Sequence, residues 1–103
     1  MEQNLDTALE WFMKGVSKGD GTALWGVGEV HAAKSQYKEA FEWYMKAAAQ
    51  GDSDGEYRLG FCYELGQYVA KDIPKAIEWY TRAAKKGHND AKEALGELGQ
   101  PAP

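Results

Sequence analysis

The sequence predicts an all-α chain built as a short α-solenoid of stacked antiparallel helix pairs, with about six helices and no strands. Three observations predict it. A pattern recurs three times without a gap: ALEWFMKGVSKGD at 8–20, AFEWYMKAAAQGD at 40–52 and AIEWYTRAAKKGH at 76–88. A second set keeps step with it, Ala23, Val27 and Gly28, then Gly55, Leu59 and Gly60, then Ala91, Leu95 and Gly96. Both sets carry apolar residues at helical spacing, and a helix pair that cannot bury its stripe alone must stack on the next pair.

The helices fall into two types that alternate. The first, type B, spans about 5–18 and forms a half repeat. A type A helix follows over 22–33, then B over 36–50, A over 53–65, B over 73–86 and a terminal A over 89–98. Repeats therefore run from 20 to 51 and from 52 to 87, in one domain of residues 1–98. In type B, Phe41, Trp43, Tyr44, Ala47 and Ala48 fall on an arc of about 160°, with Glu42 and Lys46 opposite. Gly19, Gly51 and Gly87 stop these helices, because glycine accepts the positive φ of a helix end. Asp72 is the expected N-cap of the third B helix, with Pro74 tolerated in its first turn. In type A, Val27, Gly28, Val30 and His31 gather on one side, and Gly55, Leu59, Gly60, Cys62 and Tyr63 repeat them. Gly28, Gly60 and Gly96 cost about 1 kcal/mol each in a helix, so their recurrence points to close helix–helix approach. Residues 99–103 have no periodicity and two prolines, and are expected to be a disordered tail.

Composition bounds the function. Of 103 residues, 27% are charged and 44% hydrophobic, which is the balance of a folded domain. The formal charge is −4 and the isoelectric point about 5.1, so the surplus of positive charge that phosphate neutralisation needs is missing and no nucleic-acid partner is expected. Mean hydropathy is −0.63, and no run approaches the 18 apolar residues of a transmembrane span, so no membrane is expected either. The single Cys62 has no partner for a disulfide, and acids stand where a secretory leader would be basic and then apolar; the expected setting is cytoplasmic.

The run from Leu59 to Ala91 resembles the Sel1-like repeat, a relative of the tetratricopeptide repeat. Leu59, Gly60, Tyr63, Gly66, Val69, Asp72, Lys75, Ala76, Trp79, Tyr80, Ala83, Ala84 and Gly87 fall on family positions. Three departures stand out. Tyr68 replaces the second loop glycine, the first complete copy lacks four residues of the A-to-B loop, and His31 stands where Tyr63 would predict an aromatic. The resemblance covers residues 8–98. It implies a non-enzymatic scaffold or adaptor that binds a peptide or protein surface, with a bacterial immunity protein that neutralises a cognate toxin as the alternative.

No catalytic constellation accompanies it. His31 lies on the core face of its helix, His88 follows a helix-ending glycine where a cap or loop role is expected, and neither has metal-ligand company. Cys62 shares the core arc with Leu59 and Tyr63, where thiols act as small hydrophobes. No cofactor is expected, and no metal. Trp11, Trp43 and Trp79 share one column of type B and are expected to be core packing between repeats. Trp25 lies about 200° from Ala23, off the core arc, near Glu29. Tyr57, Phe61 and Glu64 take that side in the second copy and Glu93 in the third. The resemblance places these positions on a concave face made by type A helices, so Trp25, Glu29, Tyr57, Phe61, Glu64 and Glu93 are the candidate partner-binding residues. Acidic neighbours beside aromatics would suit a partner with basic and apolar residues. The first and last helices each lack a companion, so a homo-oligomer formed through exposed solenoid ends is a further expectation.

Overall fold

The computed structural model describes residues 2–17 and 22–100, and these form six α-helices: α1 Glu2–Ser17, α2 Thr22–Ala33, α3 Tyr37–Ala49, α4 Ser53–Leu65, α5 Ile73–Lys85 and α6 Asn89–Glu97. Each helix packs against the next in sequence, and α2 also touches α4. Repeating that step gives a stack elongated to 40 × 25 × 20 Å, an all-α solenoid.

The corners follow from one local device used five times. Ser35, Gly51, Gly66, Gly87 and Gly99 have φ of 61°, 81°, 73°, 89° and 77°. In each case the next residue's N–H reaches back to the carbonyl five residues earlier: Gln36 to His31, Asp52 to Ala47, Gln67 to Cys62, His88 to Ala83 and Gln100 to Leu95, at 2.8–3.1 Å. That closure satisfies carbonyls the helix leaves free and turns the chain sharply. Gly19, the expected stop of the first helix, lies outside the described residues, as do 101–103; Gly99 and Gln100 belong to the closure of α6.

Two of these corners also start the next helix. Asp52 Oδ1 accepts from Asp54 N at 2.9 Å, and His88 Nδ1 accepts from Ala91 N at 3.1 Å. A Gly-Asp or Gly-His pair is therefore a complete B-to-A turn. Asp72 caps α5 as expected, accepting from Lys75 N at 3.1 Å. The A-to-B corners differ in length, because Ser35 turns at once whereas residues 66–72 form a loop. In that loop Tyr68 keeps a glycine-like φ of 65°, and its ring lies 5.6 Å from that of Phe41.

The core is made of small residues and two tyrosines. Val27, Ala47, Leu59, Ala76, Ala83, Ala91 and Leu95 are fully buried, with Tyr44 3% and Tyr80 1% exposed. Here the structure corrects the tryptophan expectation. Trp11 is 68% exposed, and Trp43 and Trp79 are only half-buried. Each carries a cation three residues on: Lys14, Lys46 and Arg82 stand 5.1, 4.2 and 4.7 Å from the ring centroids. The reason is the glycine on the facing helix. A Cβ at Gly28 would lie 2.6 Å from the Tyr44 ring, and one at Gly60 would lie 2.6 Å from the Tyr80 ring. Each glycine opens a slot that a flat phenol fills. Of the three, Trp79 keeps the expected contact between repeats, packing from its half-buried position against the preceding cluster around Ala40, Tyr44, Leu59 and Cys62. His31 likewise leaves the core: it is half-exposed, and its Nδ1 lies 2.7 Å from Gln36 Oε1 across the α2–α3 corner.

Among the described residues one charged side chain is buried. Glu56, in the first turn of α4, is 4% exposed, and Lys86 Nζ stands 2.9 Å from its Oε1 as a charge contact without the alignment of a hydrogen bond. The same ammonium donates to Gly51 O at 3.0 Å, so the end of α5 is tied to the α3–α4 corner. Lys86→Ala should destabilise the chain by about 1–3 kcal/mol, because it strands a desolvated carboxylate. Glu56→Gln should cost less, since it removes the buried charge and leaves Lys86 in water. Urea unfolding of the two variants measures this asymmetry; equal losses would show that the stranded carboxylate is not the burden.

Candidate functional site

Three helices leave a cleft of about 290 Å³ between them. α2 contributes Glu29, α3 contributes Tyr37 and Tyr44, and α4 contributes Arg58 and Phe61, with Gln67 from the following loop. The type A helices reach it because their glycine face is spent on the tyrosines, which leaves the adjoining strip of each helix free.

The polar groups of the cleft form one chain of contacts. Tyr44 Oη donates to Glu29 Oε1, and Arg58 Nε lies 3.1 Å from the same oxygen. The guanidinium also stands 5.9 Å from the Trp25 ring centroid and 5.3 Å from that of Tyr57. Arg58 is therefore held between two aromatic faces and one carboxylate, with its side chain 30% exposed. Burial, reinforced by Glu29, holds the Tyr44 hydroxyl far above the ordinary phenol range, so it remains a donor. Cys62 lines the wall, and burial with Glu29 nearby pushes its thiol up to about 12. A thiol so held is protonated near neutral pH and is no nucleophile.

The structure thus places the candidate residues in three groups. Trp25, Glu29 and Tyr57 meet around Arg58, and Glu29 and Phe61 line the cleft. Tyr57 is half-buried, stacked 4.8 Å from His88 and tilted 5.6 Å from Tyr80, so it also supports the α5–α6 layer. Glu64 accepts from Tyr80 Oη at 2.7 Å and stands in the next repeat's tyrosine slot. Glu93 is exposed on α6, apart from both.

Arg58 is the residue that reading by helical faces passed over. One signal was present: the aligned positions in the other copies are Gly26 and Ala94, so a long cation there departs from the repeat. Among the described residues no group of three or more His, Cys, Asp or Glu could hold a metal ion. No helix of the described residues is long and apolar enough to cross a membrane.

The Sel1 repeat family model matches residues 1–20, 24–52 and 53–88. A solved Sel1 repeat protein from Oxalobacter formigenes is similar, with a TM-score of 0.78 and 35% identity over 90% of this chain. This chain spans 42% of that structure's length. No curated protein matches.

Proposed function

The chain belongs to the Sel1 repeat family, whose members generally mediate protein–protein interaction, and from that premise we propose that it is a non-enzymatic binding module whose α2–α3–α4 cleft receives an apolar side chain of a partner protein or peptide. The observation that carries the reading is the cleft itself. It combines an apolar wall at Tyr37 and Phe61 with an oriented ion pair, Glu29 and Arg58, at its polar side. Its volume lies just below the range of about 300–1,000 Å³ usual for small-molecule pockets, and suits one large side chain.

Arg58 refines the partner's chemistry. It already occupies the place between Trp25, Tyr57 and Glu29 that a partner's Lys or Arg would seek, so the basic residues of the partner would meet Glu64 and Glu93 instead. A toxin held by an immunity protein would be one such partner, and the same experiment detects it.

The test is affinity capture from cells of the source organism, followed by measurement of binding to the captured protein. Phe61→Ser and Tyr37→Ser should each weaken binding about thirtyfold, the loss of a hot-spot contact of about 2 kcal/mol. Met45→Ser, at a position outside the cleft that is 41% exposed, should change nothing. Glu93→Lys should slow association with a basic partner and reduce its salt dependence. Full binding by a folded Phe61→Ser variant, with loss in Met45→Ser, would move the site off the cleft.

A further inference from the structure

We propose that the open face of α6 receives α1 of a second copy of this chain, so that copies stack head to tail. This contact is separate from the cleft and does not depend on it. Inside the chain one interface is used twice. Gly28 of α2 is covered by Tyr44 of α3, and the hydroxyl donates to Glu29; Gly60 of α4 is covered by Tyr80 of α5, and the hydroxyl donates to Glu64. Gly96 of α6 stands at the same place in the third copy, and a Cβ there would meet nothing within 4 Å. Glu97 follows it as Glu29 follows Gly28, and is exposed. The slot is present with an acceptor in the register of Glu29, one residue after the glycine rather than four as at Glu64, and no described residue fills it.

The opposite end carries the complementary group. Phe12 is the α1 counterpart of Tyr44, yet it is turned onto its own α2, where a Cβ at Gly26 would lie 2.5 Å from its ring. That leaves Trp11 as the outward aromatic of α1, 68% exposed where Trp43 and Trp79 are half-covered, with Met13 40% exposed beside it. An indole, like a phenol, is a flat ring with one polar hydrogen. Laid on Gly96, it would donate its N–H to Glu97 as Tyr44 donates to Glu29. Charge agrees, since Lys14 stands over the Trp11 ring at 5.1 Å and would approach the exposed Glu93 and Glu97. The proposed contact thus reuses the glycine slot of the interface that joins α3 to α2 and α5 to α4, filled from the tryptophan column, one residue before the tyrosine column. Because it joins two different faces, each added copy presents a free face again, so assembly proceeds beyond a dimer.

Sedimentation velocity on the full chain from about 10 μM to about 1 mM tests this. The mean mass should rise with concentration and pass beyond a dimer. Trp11→Lys blocks one face and Gly96→Glu the other, and each alone should weaken association about tenfold or more. Their equimolar mixture should form a heterodimer that grows no further, because each variant retains the face the other lacks. Both substitutions fall at open positions, and circular dichroism melts verify the fold; should either melt early, Trp11→Ser and Gly96→Gln ask the same question. A wild-type chain that stays monomeric throughout overturns the proposal without any variant. So does a folded variant that associates like wild type, or a mixture that remains monomeric.

Discussion

Tyr80→Ala should cost about 3–5 kcal/mol, a large share of the 5–15 kcal/mol that stabilises a typical domain. The ring is 1% exposed, lies against the bare backbone of Gly60 and packs in the cluster of Ala76, Ala83, Ala91 and Leu95. Truncation would open a cavity that no neighbouring alanine can fill. Trp79, the preceding residue and the larger one, should cost about 2 kcal/mol or less when truncated, because it is half-buried with Arg82 over its outer face. Tyr80→Phe keeps the ring and removes only the donor to Glu64, so it should cost about 1 kcal/mol. Urea denaturation, with midpoint and slope read separately, measures all three. A greater loss for Trp79→Ala than for Tyr80→Ala would reverse the division of roles between the two aromatics.

Two substitutions of the same chemistry should move stability in opposite directions. Gly→Ala in a helix ordinarily gains about 0.5–1 kcal/mol, and Gly96→Ala should realise that gain, since its Cβ enters open space. Gly55→Ala should instead lose about 1–3 kcal/mol net, the usual cost of overpacking. Its Cβ would lie 2.6 Å from Ala47 Cβ and 3.0 Å from the backbone nitrogen of Ala48. A side chain can rotate away from such a contact, but a helix backbone moves only with the whole of α3. Thermal melts at low protein concentration, where association is negligible, should separate the variants by several degrees, at about 4–8 °C per kcal/mol for a domain of this size. Shifts of the same sign would mean that Gly55 is not a contact point.

These predictions divide along what the sequence alone could determine. The period, the number of helices and the corners were legible from one chain, because they are short-range matters. A glycine's freedom at positive φ, an Asp that caps three residues ahead and an apolar arc over four turns each depend on neighbours a few residues away. Gly51, Gly87 and Asp72 act in the structure as those local rules require. The tertiary structure alone decided which aromatic of each adjacent pair enters the core. Trp43 and Tyr44 lie about 100° apart on one helix, and both fall within the same apolar arc, so periodicity cannot rank them. The choice belongs to Gly28 on another helix, which leaves a slot the thickness of a ring and an acceptor at its rim. Arg58 was hidden for the same reason: its meaning lies in Trp25 and Glu29, which are distant in sequence and close only after α2 and α4 are stacked. Long-range contacts select among residues that local rules treat alike, because shape and charge at a given position are set by the helix that faces it.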